Sequence, residues 1–204
     1  MARKNKINFN NMINKLNQTI LLFLSVFFIT ACSVTEEQPP QQKIKAKTSV
    51  VSSFFSAKRY VVGQRFTWLP GAERYFEDPR IKDQTIKPML ENIIQQTLIN
   101  SGYQFTQDPQ QADFLVGYLV ALESELDDQA IAKLYGNTPG LPLQSTEDYE
   151  KGTLVVDIVD GVTKHSVWRG ALQAAVTFDV EHSLRQQRVK SAVETLLNNF
   201  LQAQ

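Results

Sequence analysis

The clearest pattern along the chain is a series of short apolar runs that predict β-strands. Lys58–Leu69 is rich in aromatic and β-branched residues, with Gly63 as the expected irregularity and turn chemistry at Pro70–Gly71. Tyr103–Thr106 predicts a short strand. Asp113–Glu123 is apolar at almost every position, which is typical of a central strand that is buried on both faces.

Two further apolar runs predict a β-hairpin. Gly152–Asp160 and Ser166–Phe178 are separated by Gly161–His165, a segment with the length and composition of a turn. We therefore expect the two runs to pair as neighbouring strands. The preceding segment, Gly136–Asp148, contains Gly and Pro and predicts an irregular loop.

Apolar residues at steps of three and four predict two long amphipathic helices. Thr85 is the expected N-cap of the first and Gly102 its left-handed terminus, whereas Ser183 and Gln186 resemble a capping box for the second. A short helix is expected over 128–135. The first stripe comprises Ile86, Met89, Leu90, Ile93, Ile94, Thr97 and Leu98, and the second Val189, Ala192, Val193, Leu196, Leu197, Phe200 and Leu201.

Together these elements predict the α+β class. About five strands and two main helices imply a two-layer fold, in which both helices pack on one face of a mainly antiparallel sheet. The helical stripes are expected to cover that sheet rather than to form grooves for a partner. No internal repeat or second linker interrupts residues 48–204, which predicts a single α+β domain.

The first 31 residues have the composition of an export leader. They contain no Asp or Glu, four Lys or Arg, and the apolar run Ile20–Ile29, with Met1 or Met12 as the start. About ten apolar residues span only ~15 Å as a helix, half of a ~30 Å hydrocarbon core. The pattern therefore favours a cleaved signal peptide over a permanent transmembrane helix.

The segment Ile29–Cys32 resembles the lipobox of bacterial lipoproteins. Cys32 is the only cysteine of the chain and falls at the cleavage point, so we expect it to carry acyl chains such as palmitate and to anchor the protein in a membrane. An ordinary secretory signal with a chance cysteine is the alternative. Ser33, in place of Asp, favours the outer membrane. The acylated Cys32 and a flexible tether would occupy residues 32–47, which contain Gln, Lys and Pro but no aromatic residue.

The charge of the processed chain limits the classes of partner that are expected. Removal of residues 1–31 would take away four basic residues and no acidic ones, which leaves a formal charge of −4. That balance, without a basic stripe, disfavours nucleic acid. With Cys32 acylated, no thiol would remain for a disulfide or a redox site, and no cofactor is expected.

Few residues suggest chemistry. His165 and His182 are the only histidines, and neither has a second metal ligand nearby in sequence, so surface positions are expected over metal binding or general-base work. Asp157, Asp160 and Arg169 fall on neighbouring strands. Paired carboxylates could act as acid and base, but a cross-strand charge pair with a turn-forming Asp160 is the expected arrangement.

The remaining candidates also have ordinary interpretations. Trp168 could stack on a ligand, although a core tryptophan is the commoner case. Glu123, Glu125, Asp127 and Asp128 place four acids within six residues, without the Gly turn of a calcium loop, so a solvated strand exit is expected. No nucleophile elbow or phosphate-binding glycine loop is present, and the sequence predicts no enzyme, no catalytic residues and no metal.

Several motifs in a fixed order resemble a known family. Gln111–Val116, Gly152–Asp160 and Val167–Gly170 are similar to motifs of the bacterial lipoprotein family called domain of unknown function 4136, as are the aromatic strand Arg65–Trp68 and the pair Gly102–Tyr103. The likeness covers most of residues 55–201, and residues 125–148 depart from the Gly-rich, aromatic loop expected there. The resemblance implies an envelope lipoprotein with an α+β domain and implies no activity.

Three hypotheses of function follow. The first is a non-enzymatic, periplasm-facing outer-membrane lipoprotein that acts as an accessory or interaction module for an envelope protein partner. The second is a binder of a small apolar or lipid-like ligand held between helices and sheet, which predicts a cavity on the order of several hundred Å³ lined by Phe and Leu. The third is a hydrolase, which requires Asp157, Asp160, Arg169 and His165 to converge in one cleft.

Overall fold

A computed structural model of the chain describes residues 48–75, 79–80, 85–136 and 138–203. The predicted signal peptide, Cys32 and the tether lie outside these residues. The described part holds six strands and three helices. The strands are β1 (Thr48–Phe54), β2 (Arg65–Tyr75), β3 (Gln104–Phe105), β4 (Phe114–Leu122), β5 (Tyr149–Asp160) and β6 (Ser166–Thr177). The helices are α1 (Ile86–Asn100), α2 (Asp128–Tyr135) and α3 (His182–Leu201).

The six strands form one mixed sheet in the order β1-β6-β5-β4-β2-β3. Strand β2 runs parallel to β3 and β4, and the other neighbours pair antiparallel. The α+β class and the mainly antiparallel sheet are therefore confirmed, with six strands in place of about five, and α2 is the short helix expected over 128–135. The predicted hairpin is β5–β6, and β4 is the central, doubly buried strand that its apolar sequence indicates.

The long helices α1 and α3 cover one face of the sheet, as their apolar stripes predict. Ile94 and Leu98 of α1, with Leu196 of α3, share a core with the even-numbered residues of β4 and β5. Helix α2 lies on the opposite face, where Tyr135 packs against Leu119 and its neighbours. The expectation of a two-layer fold therefore needs correction, because α2 adds partial cover to the second face.

The segment expected to form one strand over Lys58–Leu69 is divided. Gly63 has φ +92° and lies in a turn, so β2 begins only at Arg65. The strand then continues through Pro70 and Gly71, where its register against β4 shifts between Trp68 and Glu73. The predicted turn is therefore a bulge within β2, since the residues on either side of it, 66–68 and 73–75, both pair with β4.

The predicted helix ends are partly confirmed. Gly102 has φ +94° after α1, a left-handed conformation that favours glycine. Thr85 immediately precedes α1, but its side chain makes no capping bond. The capping box is wrong, because α3 begins at His182, before Ser183, whose hydroxyl donates to Glu181 at 3.4 Å. No helix in the described residues is both long and apolar enough to cross a membrane.

Candidate functional site

The predicted cross-strand charge pair is present. Asp157 of β5 and Arg169 of β6 are directly opposite each other, with Arg169 Nη2 donating to Asp157 Oδ2 at 2.6 Å. Ser166 donates to the other oxygen of the same carboxylate. Arg169 Nη1 donates to the carbonyl of Tyr135 at 3.0 Å, and its guanidinium lies over the rings of Tyr135 and Phe55. This pair therefore holds α2 against the sheet.

Asp160 lies on the opposite face of β5 from Asp157, beside the core residue Phe114 of the adjacent strand. One of its oxygens accepts from Lys58 and, at 3.0 Å, from the hydroxyl of Tyr60. The other accepts from two backbone N–H groups of the hairpin, at 2.7 and 3.1 Å, which confirms its turn-forming role. With two donors on each oxygen, this carboxylate is poorly placed to accept a substrate proton.

These contacts shift the pKa values of both buried partners. Burial alone would raise the pKa of Asp160, but the hydrogen bonds from Lys58, Thr163 and Tyr60 outweigh it and hold the pKa well below its ordinary value. Burial raises the pKa of Tyr60, and the neighbouring Asp160 carboxylate raises it further. The carboxylate therefore stays charged and the phenol neutral at physiological pH.

The histidines do not join these residues. His165 is exposed in the β5–β6 hairpin, and His182 is exposed at the start of α3, beyond the opposite end of β6. Within the described ranges, no three His, Cys, Asp or Glu side chains are grouped as a metal site would need. The four residues required by the hydrolase hypothesis do not share one cleft, because Asp157 and Asp160 occupy opposite faces of the sheet.

Trp168 is a core residue rather than a ligand platform. Its side chain is fully buried, with its ring centroid 5.5 Å from that of Phe200 in α3. Its indole N–H has no hydrogen-bond partner among the described residues. Gly170, two residues along β6, makes room for the ring, since a Cβ there would lie 2.5 Å from it.

The four acidic residues within 123–128 were expected to be solvated side chains at the end of β4, and this interpretation needs correction. Lys151, whose side chain is only 5% exposed, places its ammonium 2.7 Å from carboxylate oxygens of both Glu123 and Asp128. Asp128 also accepts from Gln173 at 2.6 Å, while Asp127 caps α2 by accepting from the N–H of Ala130 at 2.8 Å. The role of Lys151 was not predicted, because a lysine inside an apolar strand gives no sign of its partners.

Two of the cavities lined by described residues are candidate binding sites. A polar one of about 270 Å³ lies beside α2, with Asp157, Tyr135 and Arg74 in its wall. The other, of about 170 Å³, lies between α1, α3 and one end of the sheet, and we call it the apolar cleft. Val120, Leu154, Leu172, Val189 and Ala192 are among the residues that line it, together with Arg185 and Arg188.

The apolar cleft matches the expected location of a lipid-like ligand, but its volume of about 170 Å³ is smaller than expected and its lining differs. It lies between helices and sheet as anticipated, yet its described wall consists mainly of Val, Ala and Leu and contains no Phe. The phenylalanines fill the other end of the core instead, where the rings of Phe66, Phe114 and Phe200 pack together. The apolar stripe of a helix therefore does not predict where the space between the helix and the sheet remains unfilled.

Comparison with known proteins adds a family. No curated protein matches the sequence. Among solved structures, a PelC dodecamer from Paraburkholderia phytofirmans is similar at 12% identity and a TM-score of 0.49, over 77% of this chain and 99% of that one. A DUF4136 family protein from Bacteroides thetaiotaomicron is similar at 11% identity and a TM-score of 0.45, over 77% and 98% of the two chains.

Residues 50–200, most of the chain and nearly all of its described elements, match the family described as Domain of unknown function (DUF4136). The match includes the three motifs on which the resemblance in sequence rests. The chain therefore belongs to the DUF4136 family.

Proposed function

We propose that the protein is a lipid-anchored, periplasm-facing module of the bacterial outer membrane, which binds an envelope protein and carries out no catalysis. The sequence around Cys32 supports the anchor. The spread of the candidate catalytic residues over two faces of the sheet supports a non-enzymatic role. The observation that carries the proposal is the position of β1, which leads directly from the predicted tether into the edge of the sheet.

Among the described residues, β1 is an edge strand of the sheet. Its seven residues pair with β6 on one side only, among the residues that the structure describes. The N–H of Phe55 donates to Val167 of β6 at 2.8 Å. Because N–H groups alternate in direction along an antiparallel strand, those of Phe54, Ser52 and Val50 point away from β6. A partner strand could pair with these groups and extend the sheet.

Membrane anchoring is tested by the Cys32→Ala variant. We expect the wild-type protein to fractionate with the outer membrane and the variant to leave the membrane fraction. Mass spectrometry of the wild-type protein should find a mature N-terminus at Cys32 that carries acyl chains. An unmodified thiol or a retained leader would refute the anchor, whereas an unchanged distribution of Cys32→Ala would show that something else holds the protein at the membrane.

Partner binding at the edge is tested with Val50→Pro. Proline removes the outward N–H and leaves the bonds between β1 and β6 in place, since edge strands tolerate proline on their open side. Val50→Ala, which keeps the N–H, is the matched control. After in vivo cross-linking, we expect an envelope protein that is captured by the wild type and Val50→Ala to be lost with Val50→Pro. Equal capture by all three would rule out β1 as the docking edge.

A further inference from the structure

Strand β1 lacks the features that normally keep an edge strand from pairing with another chain. Within the described ranges it lies at one edge of the sheet, and all seven of its residues pair with β6 in a single register without a bulge. The sequence Thr48–Phe54 contains no charged residue and no proline, which are usual protections of an edge. The strand at the opposite edge, β3, has only two residues. β1 is therefore the edge that is suited to pairing.

The outward backbone groups of β1 belong to Val50, Ser52 and Phe54. In an antiparallel strand, the N–H and the C=O of one residue point to the same side, so these three residues direct both groups away from β6. Their side chains share the face of the sheet that α1 and α3 cover, where Asn199 donates to the hydroxyl of Ser52 at 3.0 Å and Phe54 packs against the core. Val50 is 36% exposed. A pairing strand should therefore offer an apolar side chain opposite Val50.

A second copy of β1 offers that arrangement. When two copies run antiparallel about a two-fold axis at Ser52, this residue lies opposite itself, and Val50 of each copy lies opposite Phe54 of the other. Each of these three pairs exchanges two backbone hydrogen bonds. A β-branched side chain opposite an aromatic one stabilises a sheet, and this register covers the exposed side of Val50 in both copies. β1 is therefore complementary to itself, which is the property of the isologous interfaces of two-fold dimers.

Helix α3 leaves room for such an interface. On the face of the sheet where Asn199 contacts Ser52, α3 runs beside β1, and Thr195 lines the same small cavity as Thr48. Ser191, Thr195 and Asn199 follow each other at steps of four, which places them on one side of the helix. All three side chains are exposed, short and uncharged. Along this line, the two α3 helices of a dimer can therefore approach each other closely.

We propose that the strand that pairs with β1 is β1 of a second copy, antiparallel about Ser52, so that one continuous sheet runs through both copies. This inference rests on the proposed function, because it names the partner of the same edge. The lipid anchor expected at Cys32 favours it, since anchoring would concentrate copies of the chain at one membrane surface. A strand from a different envelope protein and residues 33–47 of the chain itself are the competing occupants.

Disulfide trapping in membranes tests the proposal with the full-length protein. In Ser52→Cys, the two Cα atoms of residue 52 would be ~5.5 Å apart, within the ~4.4–6.8 Å range of disulfides. Ser53→Cys, at an exposed neighbouring position, is the matched control, because its two Cα atoms would be about 8 Å apart. After mild oxidation, we expect non-reducing electrophoresis to show at least about tenfold more covalent dimer for Ser52→Cys than for the control. The wild type measures the contribution of Cys32.

A second substitution separates this pairing from chance contact. Val50→Pro, added to Ser52→Cys, removes an outward N–H and should reduce the dimer to the level of Ser53→Cys, whereas Val50→Ala should leave the dimer in place. Thermal melting shows whether the variants fold, and the two cysteine variants suffice for the comparison.

Equal amounts of dimer from the two folded cysteine variants, or a dimer that persists with Val50→Pro, would overturn the proposal. If Ser52→Cys stays monomeric while the edge still captures another envelope protein that Val50→Pro loses, the second copy is excluded and the proposed function stands. If Val50→Pro changes neither the dimer nor the capture, β1 is not a docking edge and both proposals fail.

Discussion

The ammonium group of Lys151 lies 2.7 Å from a carboxylate oxygen of Asp128, and this contact joins the middle of the sheet to the first residue of α2. Glu123 binds the same ammonium at the same distance. Burial opposes the charge on Lys151, but its two carboxylate partners outweigh burial and raise the pKa of the lysine. A nearly buried cation with two anions therefore fixes α2 on the face opposite to α1 and α3.

Removal of this cation should destabilise the domain. We expect Lys151→Met to lower the free energy of unfolding by about 2–4 kcal/mol, because two partly buried carboxylates lose their counterion. Urea denaturation followed by circular dichroism measures the change. Lys190→Met is the control, since its pair with Glu194 at 3.8 Å is largely exposed and should contribute less than about 0.5 kcal/mol. Equal effects of the two variants would contradict the structural role of Lys151.

The free energy of unfolding should decrease at acidic pH. The pKa values of Asp160, Glu150 and Asp128 are lower in the folded protein than in the unfolded chain. Each group therefore stabilises the fold fully above the pKa of the unfolded chain, near ~4, and loses that contribution as the pH falls toward its own lower pKa. The urea midpoint should be constant between about pH 5 and 7 and decrease steadily below that range.

The variant Asp160→Asn tests how much of this pH dependence of stability comes from Asp160. It should lower stability at pH 7 on the order of 2 kcal/mol, since the neutral amide loses its ion pair with Lys58 and cannot accept all four hydrogen bonds. Its decline between pH 5 and 3 should be shallower than that of the wild type. If stability changes with pH equally in the variant and the wild type, protonation of Asp160 does not contribute to the loss of stability in acid.

Gly170 should tolerate no side chain. A Cβ at this position would lie 2.5 Å from the ring of Trp168 and 2.7 Å from Leu196. We expect Gly170→Ala to cost about 1–3 kcal/mol through overpacking. Gly117→Ala is the matched control on β4, where the Cβ would meet the methyl group of Ala72 at 3.2 Å, and it should cost clearly less. A neutral Gly170→Ala would show that the tryptophan can move.

The fluorescence of Trp168 should be that of an indole shielded from water. Its indole is fully buried and its N–H has no partner among the described residues, whereas Trp68 is only partly buried. In Trp68→Phe the remaining fluorescence should be blue-shifted and inaccessible to iodide. Trp168→Phe should leave the more quenchable emission of Trp68. Similar quenching in the two variants would contradict the burial of Trp168.

The elements that have a clear local pattern of apolar residues could be predicted from the sequence. The stripes of α1 and α3, the short α2 and the apolar β4 all follow from periodicity, because each buries a face against the core. β1 was not predicted, since Thr48–Phe54 is half-buried and rich in serine and becomes a strand only by pairing with β6. Its pairing partner lies more than a hundred residues away, where no local pattern can indicate it.

The candidate site was predicted less completely than the fold. The pair of Asp157 with Arg169 could be foreseen from the spacing of two hairpin strands. The partners of Asp160, Lys58 and Tyr60, come from a distant irregular segment. The apolar cleft exists because α1 and α3 leave one end of the sheet less densely filled, and this is a property of helix placement rather than of any residue pattern.

The attachment of β1 also has a mechanical consequence. Any force transmitted through residue 47 enters the domain at Thr48, and strand β1 leads from there along the sheet beside β6. A pull directed along the strand loads the whole ladder between β1 and β6 in shear, so that its hydrogen bonds resist together instead of opening one after another. Placed in this way, the edge strand can bear tension between a surface and whatever the domain holds.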